Sequence, residues 1–360
     1  MLVVGQGPPA TGGIPTFVAN LMASAALRDR AALRFLNTTP SGERRPASVT
    51  FTNAGRALRD LGRVFRAARG ADVVHLNVSA VPFAPLARAL ALCAAARAAG
   101  ARTIMHAHTG RLHLAARGRA YAWLLRRVPL VVDAFVVVSR VEAEAARDVG
   151  LEPVVIANGI DVDRSPTGPK DDPPLIAFVG TVCERKGLID LLGALTELRG
   201  DGVPSFRVEI VGDASQEGPG VFERVRDAYA DAGAGDVTFR GALTREDVDD
   251  VLARASIFCL PSHWEGLPIS LLEAMAAETA PIATSVGEIP AMLDGGRAGV
   301  LVAPHDVAGL ASAIDDLLRD RDRRSALAAA ARRRVRDAYG EGSSTGAIAD
   351  VYARLAGYSM

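Results

Sequence analysis

The sequence predicts an α/β protein built from two doubly wound, parallel-sheet domains in tandem. Three observations carry this. Short β-branched runs alternate with longer Ala/Leu/Arg-rich stretches of helical period in both halves. The alternation stops at a Pro/Asp/Gly-rich stretch and then restarts. Each half also carries a glycine-bearing loop between its first strand and first helix.

In the first half the strand candidates are Leu2–Val4, Asp72–Leu76, Arg102–Met105, Ala134–Val138 and Val154–Ala157. Between them lie segments such as Pro85–Ala99, whose apolar residues recur at helical spacing. A strand–helix–strand alternation implies a parallel sheet covered by helices. The stretch VDRSPTGPKDDPP, from 162 to 174, has no periodicity and reads as a linker. It separates a first domain, 1–161, from a second, 175–340, in which Leu175–Val179, Arg207–Val211, Val237–Arg240, Ile257–Leu260, Pro281–Thr284 and Gly299–Leu301 read as strands. Residues 341–360 form a last helix expected to return to the first domain.

Composition narrows the function. Forty-one basic and forty-one acidic residues leave no net charge, so no global field attracts nucleic acid. The apolar runs are interrupted by Arg88, Arg97 and Asp133, short of the roughly 20 residues a membrane span requires. The first residues read as a strand rather than a signal peptide, and the chain is expected to be cytoplasmic. Cys93, Cys183 and Cys259 are far apart, without CxxC spacing or a nearby histidine cluster, and support neither a disulfide framework nor a zinc site. A nicotinamide dinucleotide site needs G-x-G-x-x-G after the first strand. Here Gly5-Gln6-Gly7 runs into Pro8 and Pro9, so that spacing fails.

Three segments remain that can carry chemistry. In TGGIPT, Gly12 and Gly13 let backbone amides approach a ligand at the start of a helix, a place that favours anions; a surface turn explains it equally well. In VGTVCERKG, Arg185 and Lys186 stand at a helix start beyond the carboxyl end of a strand, where open α/β sheets bind ligands and where a diphosphate is a fitting guest. In HWEGLPISLLEAM, Glu265 and Glu273 sit in apolar company, and a buried carboxylate is costly without a partner. Pro268 favours a helix beginning there, which makes Glu265 a loop residue and Glu273 a helical one, about 12 Å apart along the axis. Carboxylates so spaced suit the two sugar rings of a nucleotide sugar, with the amides of Gly266 and Leu267 facing the groups between.

Taken together, E-x7-E in EGLPISLLEAMA, VGTVCERKG before it, GEIPAML and GVLVAP after it, TGGI near the start and VIANGID before the linker resemble the retaining glycosyltransferases of family 4. The resemblance runs in order over nearly the whole chain and implies the GT-B fold, two Rossmann-like domains facing each other across a cleft. By that resemblance Glu273 would hold the donor ribose, Glu265 the donor sugar and Lys186 the diphosphate. His108, in MHAHTG, would face the sugar in preference to His106. Arg240 would lie near the base, and Gly12 and Gly13 would approach the phosphates.

The sequence departs from the family where Thr181 replaces a common arginine, with Arg185 as a substitute charge, where Ala291 replaces a frequent glutamate, and where VGDAS lacks a second glycine. The implied reaction transfers a hexose or N-acetylhexosamine from a nucleotide diphosphate sugar, expected to be a UDP-sugar, with retention. It needs neither metal nor cofactor, since no DxD motif stands in a sugar-facing loop. A non-catalytic nucleotide-sugar-binding subunit and a sugar-nucleotide epimerase are the alternatives. The acceptor is unknown. Arg111, Arg117, Arg119, Arg126 and Arg127 around AYAWLL fit a weak peripheral contact with anionic lipid, although solvated arginines on an amphipathic helix are the favoured reading.

Overall fold

The structure is a computed structural model that describes residues 1–7, 10, 12–38, 51–198, 202–214, 220–232 and 236–357. Thr11 of TGGI and Ser215 of VGDAS lie outside the described residues. The chain divides into two compact units, Met1–Gly159 with Glu341–Met360, and Ile160–Gly340.

The first unit contains β1 (Leu2–Gly5), β2 (Arg34–Asn37), β3 (Val73–Val78), β4 (Arg102–Ala107), β5 (Ala134–Val137) and β6 (Val154–Val155), in the order β2-β1-β3-β4-β5-β6. Every pairing is parallel. β1 and β5 are buried along their whole length, as expected of strands covered by helices on both faces. β2 was not anticipated. It is a four-residue edge strand, RFLN, with no buried position, so it lacks the apolar run that betrays a central strand.

The second unit contains β7 (Leu175–Val179), β8 (Arg207–Val211), β9 (Val237–Gly241), β10 (Ile257–Leu260), β11 (Ala280–Thr284) and β12 (Val300–Val302), again all parallel. Their order, β12-β11-β10-β7-β8-β9, reverses between β7 and β10. The crevice beyond the carboxyl ends of two such strands is where doubly wound sheets take ligands.

The stretch 162–174, read from the sequence as a linker, is anchored on the second unit. Lys170 Nζ donates to the carbonyls of Ala253 at 2.9 Å and Ala277 at 3.1 Å. Asp171 accepts from Arg207 at 2.8 Å and from Arg254 at 2.9 Å. Its prolines and glycines remove periodicity without removing side chains that can bond. Ile160 and Gly340 form an isolated parallel bridge, after which the helix Glu341–Ala356 joins the first unit. There Tyr352, buried, bonds His75. Among the described residues no helix is long and apolar enough to cross a membrane.

Candidate functional site

The loops that leave β7 and β10 in the second unit bring the best-defined site together. After β7, Gly180 gives Lys186 room to fold back, because a Cβ there would stand 3.3 Å from Lys186 Cε. The turn Glu184–Lys186 ends on Gly187 at φ 66, a left-handed conformation that suits glycine. A Cβ on Gly187 would lie 2.0 Å from the Pro261 carbonyl, so the two loops touch through backbone. His263 N–H donates to Arg185 O at 2.8 Å and locks them further.

Glu265 sits at this junction, 8% exposed. Its Oε1 accepts from Lys186 Nζ at 2.6 Å, Ser262 Oγ at 2.8 Å and Arg185 Nη1 at 3.0 Å. Arg185 also lies over the Trp264 ring, 4.6 Å from its centroid. Burial pushes the Glu265 carboxyl up, but the charges of Lys186 and Arg185 and the bonds from Lys186 and Ser262 overcome it and hold the group below its ordinary value. It is a carboxylate at neutral pH.

Glu273 lies in the helix Ile269–Ala276, ISLLEAMA, of which every residue but Ser270 is buried. Its Oε1 accepts from Arg245 Nη1 at 2.6 Å. Arg245 is the first residue of the helix Arg245–Arg254, whose start is set by Thr244 accepting from Asp247 N–H, and it also pairs with Asp249 at 3.0 Å. Burial here wins over Arg245 and, with the nearby charge of Asp249, raises the Glu273 carboxyl above its ordinary value.

The two glutamates share one feature. Each is pinned by a cation through Oε1, while Oε2 has no partner among the described residues. Between them, the N–H groups of Gly266 and Leu267 make no hydrogen bond among the described residues. The neighbouring loop is held close by Gly287 at φ 56, where a Cβ would lie 2.2 Å from the Glu265 carbonyl. The site therefore offers two acceptor oxygens, free amides and a lysine with further N–H donors.

Arg240 of β9 pairs with Glu209 of β8 at 2.9 Å. Sequence reasoning missed Ser262, Trp264 and Arg245. Ser262 follows a strand-ending proline, a weak turn signal, and nothing local marks Arg245 as the partner of Glu273.

In the first unit the end of β4 carries His106 and His108. His106 is fully buried, with Nδ1 3.2 Å from His75 Nε2, and His75 Nδ1 lies 2.7 Å from Tyr352 Oη. The half-buried His108 places Nε2 3.0 Å from Asn77 Oδ1, so that nitrogen carries the proton and Nδ1 the lone pair. Burial lowers His75 and His108 to about 3, the latter helped by His75, and drives His106 well below its ordinary value with His108 and His75 adding to the effect. All three rings are neutral. His106 Nε2 has no partner among the described residues. Gly12, at φ 116, precedes the helix Gly13–Ala23, and a Cβ on Gly13 would meet nothing within 4 Å.

Two Rossmann-like α/β domains, each built on a six-stranded parallel sheet, define the GT-B fold class. Residues 12–164 match the Glycosyltransferase Family 4 model and residues 159–334 that of Glycosyl transferases group 1, and the chain belongs to glycosyltransferase family 4. A glycogen synthase of Mycobacterium tuberculosis is 32% identical over 204 residues, 56% of this chain and 48% of that protein. A D-inositol 3-phosphate glycosyltransferase of Streptomyces scabiei is 32% identical over 201 residues, 54% of this chain and 45% of its own length. The matched region thus spans about half the length of these curated relatives. Among solved structures, sucrose-phosphate synthase from Thermosynechococcus elongatus has a TM-score of 0.78 at 18% identity, covering 98% of both chains. Anabaena HepE in complex with UDP-glucose has a TM-score of 0.78 at 16% identity, covering 98% of this chain and 99% of that one. At such identities the likeness is one of fold.

Proposed function

We propose that the chain is a retaining glycosyltransferase that moves a hexose or an N-acetylhexosamine from a UDP-sugar to an acceptor hydroxyl, with no metal ion at the diphosphate. The observation that carries this reading is the pair of buried glutamates, each fixed by a cation through one oxygen and leaving the other without a partner among the described residues. Vicinal sugar hydroxyls are the donors such oxygens fit. Glu273 takes the ribose and Glu265 the transferred sugar. A structural relative solved with UDP-glucose supports the choice of base.

The charge balance follows from the same residues. Lys186 spends one of its N–H groups on Glu265, and the rest remain for the diphosphate. As the bond from the anomeric carbon to the diphosphate oxygen breaks, negative charge grows on the phosphate, and Lys186, Arg185 and the amides of Gly266 and Leu267 are placed to stabilise it. The acceptor oxygen bonds to the same face of the sugar, and its proton passes to the departing phosphate oxygen. His108, Arg240, Gly12 and Gly13 are assigned to this reaction by the resemblance alone. A cytoplasmic location agrees with three buried cysteines that form no disulfide. A peripheral lipid contact would use Trp123, 53% exposed, with Arg127 stacked over its ring.

The test is incubation of the pure chain with UDP-, GDP- and dTDP-sugars. Slow release of UDP that survives excess EDTA supports the proposal. A melting shift without release identifies a binder, interconversion of the sugar while still on its nucleotide identifies an epimerase, and metal-dependent release overturns the metal-free step.

A further inference from the structure

We propose that Asp190, His263 and His305 form a binding site for a divalent first-row transition metal ion, zinc being the best fit, beside the donor-site loops of the second unit. The inference is independent of the reaction assigned above. His263 Nε2 lies 2.9 Å from Asp190 Oδ2, His305 Nδ1 lies 3.5 Å from the same oxygen, and the donor atoms of the three residues all lie within 4.8 Å of one another. Zinc binds imidazole nitrogen and carboxylate oxygen at about 2.0–2.1 Å, and a tetrahedron of that size sets its donor atoms about 3.3 Å apart. The trio meets that spacing with small side-chain movements. Two imidazoles and one carboxylate suit zinc, nickel or copper rather than magnesium or calcium, which prefer oxygen alone.

The ligands come from one helix start and two loops at the carboxyl edge of the sheet. Asp190 lies in the first turn of the helix Leu188–Glu197, just beyond Gly187. His263 follows β10, two residues before Glu265. His305 follows β12 at φ 65, an uncommon conformation for a residue with a Cβ. Gly193 lets the helix Val307–Arg319 approach, since a Cβ there would stand 2.9 Å from Val307 Cγ1, and this close packing carries His305 toward Asp190. The His263 and His305 rings are already 3.9 Å apart between centroids. The His305 side chain is 65% exposed, which leaves the remaining coordination position open to water. An ion here ties the loop before Glu265 to the helix after Lys186 and adds stability; the His263–Asp190 contact and the Lys186–Glu265 pair already hold these residues, so release of UDP should survive its removal. Sequence spacing supported no zinc site at the three cysteines, and this trio contains none of them: Asp190, His263 and His305 are far apart in the chain and meet only in the fold.

The experiment uses the tag-free full chain, stripped with EDTA and titrated with zinc and with cobalt. One equivalent of zinc should bind at micromolar concentration and raise the melting temperature, and cobalt should give the intense visible bands of a low-coordinate site. His305→Gly is the informative variant, because glycine is at ease at φ 65 and the metal-free protein should melt no lower than wild type. It should lose at least about tenfold in zinc affinity and all of the zinc-induced melting shift. Asp190→Asn should weaken zinc in the same direction. The proposal is overturned if the wild-type chain takes up no stoichiometric zinc, or if His305→Gly binds it as tightly.

Discussion

Lys186 Nζ and Glu265 Oε1 lie 2.6 Å apart, with both side chains more than nine-tenths buried and Arg185 on the same oxygen. The pair joins the loops that follow β7 and β10, the two strands at which the order of the second sheet reverses. It is thus at once a bond between loops and a preset pair of ligand-binding groups. Those two roles can be separated by experiment.

Stability is the first readout. Glu265→Gln leaves the buried Lys186 ammonium without its counter-charge, and breaking a buried pair costs about 3–5 kcal/mol. Because the Glu265 carboxyl is lowered in the folded chain, its contribution is present above the unfolded value near ~4.3 and is lost as pH falls through the folded one. The Glu273 carboxyl is raised, so its contribution is full at low pH and is lost as pH rises through the folded value. Urea unfolding of the two glutamine variants should therefore diverge. On acidification the gap between wild type and Glu265→Gln closes, whereas wild type gains on Glu273→Gln. Parallel pH profiles would remove the electrostatic distinction between the two glutamates.

Kinetics separate their roles with a donor. Glu273→Gln removes contacts made in ground and transition states alike and should raise the donor KM with kcat little changed. Glu265→Gln should lower kcat as well, because a sugar gaining positive character as its bond breaks is held more tightly by a carboxylate. A hydrogen bond to a charged group is worth about 1.5–3 kcal/mol, so each effect should be roughly ten- to a hundredfold. Initial rates over a range of donor concentration, corrected for the folded fraction, decide it; an unchanged kcat in Glu265→Gln, or the same fall in kcat in both variants, would contradict the assignment.

The histidines of the first unit make it acid-sensitive. His75 and His108 sit at about 3 in the folded chain and His106 well below its ordinary value, while each titrates near ~6.5 when unfolded. The unfolded state thus binds more protons throughout the window between those values, and stability falls as pH drops through it, by up to about 1.4 kcal/mol per pH unit for each ring. A Trp264→Phe variant leaves Trp123 as the tryptophan reporter, and that residue lies in the first unit. Denaturant midpoints for Trp123 should decline between neutrality and mild acid. A flat profile there would mean the rings are protonated in the folded chain.

Two glycines that the sequence presents alike should behave differently. Gly187→Ala puts a Cβ 2.0 Å from the Pro261 carbonyl at φ 66 and should destabilise the second unit and misplace Lys186. Gly13→Ala meets nothing within 4 Å and should leave the melting temperature unchanged. Any loss of activity in Gly13→Ala would then report on the ligand rather than the fold. Thermal unfolding of both variants is the check, and equal melting temperatures would contradict the close approach at Gly187.

The sequence by itself determined the two parallel sheets, nearly all their strands and the two glutamates of HWEGLPISLLEAM. Those features are written in neighbouring residues: apolar runs of strand length, helical periodicity, a glycine where a strand turns into a helix. It did not reveal β2, whose RFLN is half exposed and carries no such run. Nor did it reveal the company each side chain keeps. Lys186 meets Glu265, Arg245 meets Glu273, and Asp190, His263 and His305 converge because strand order brings distant carboxyl-end loops to one edge of a sheet. Likewise Tyr352 reaches His75 only because the last helix returns to the first unit. Partnership between charges depends on distance through space, and chain spacing carries no measure of that until the sheet order is set.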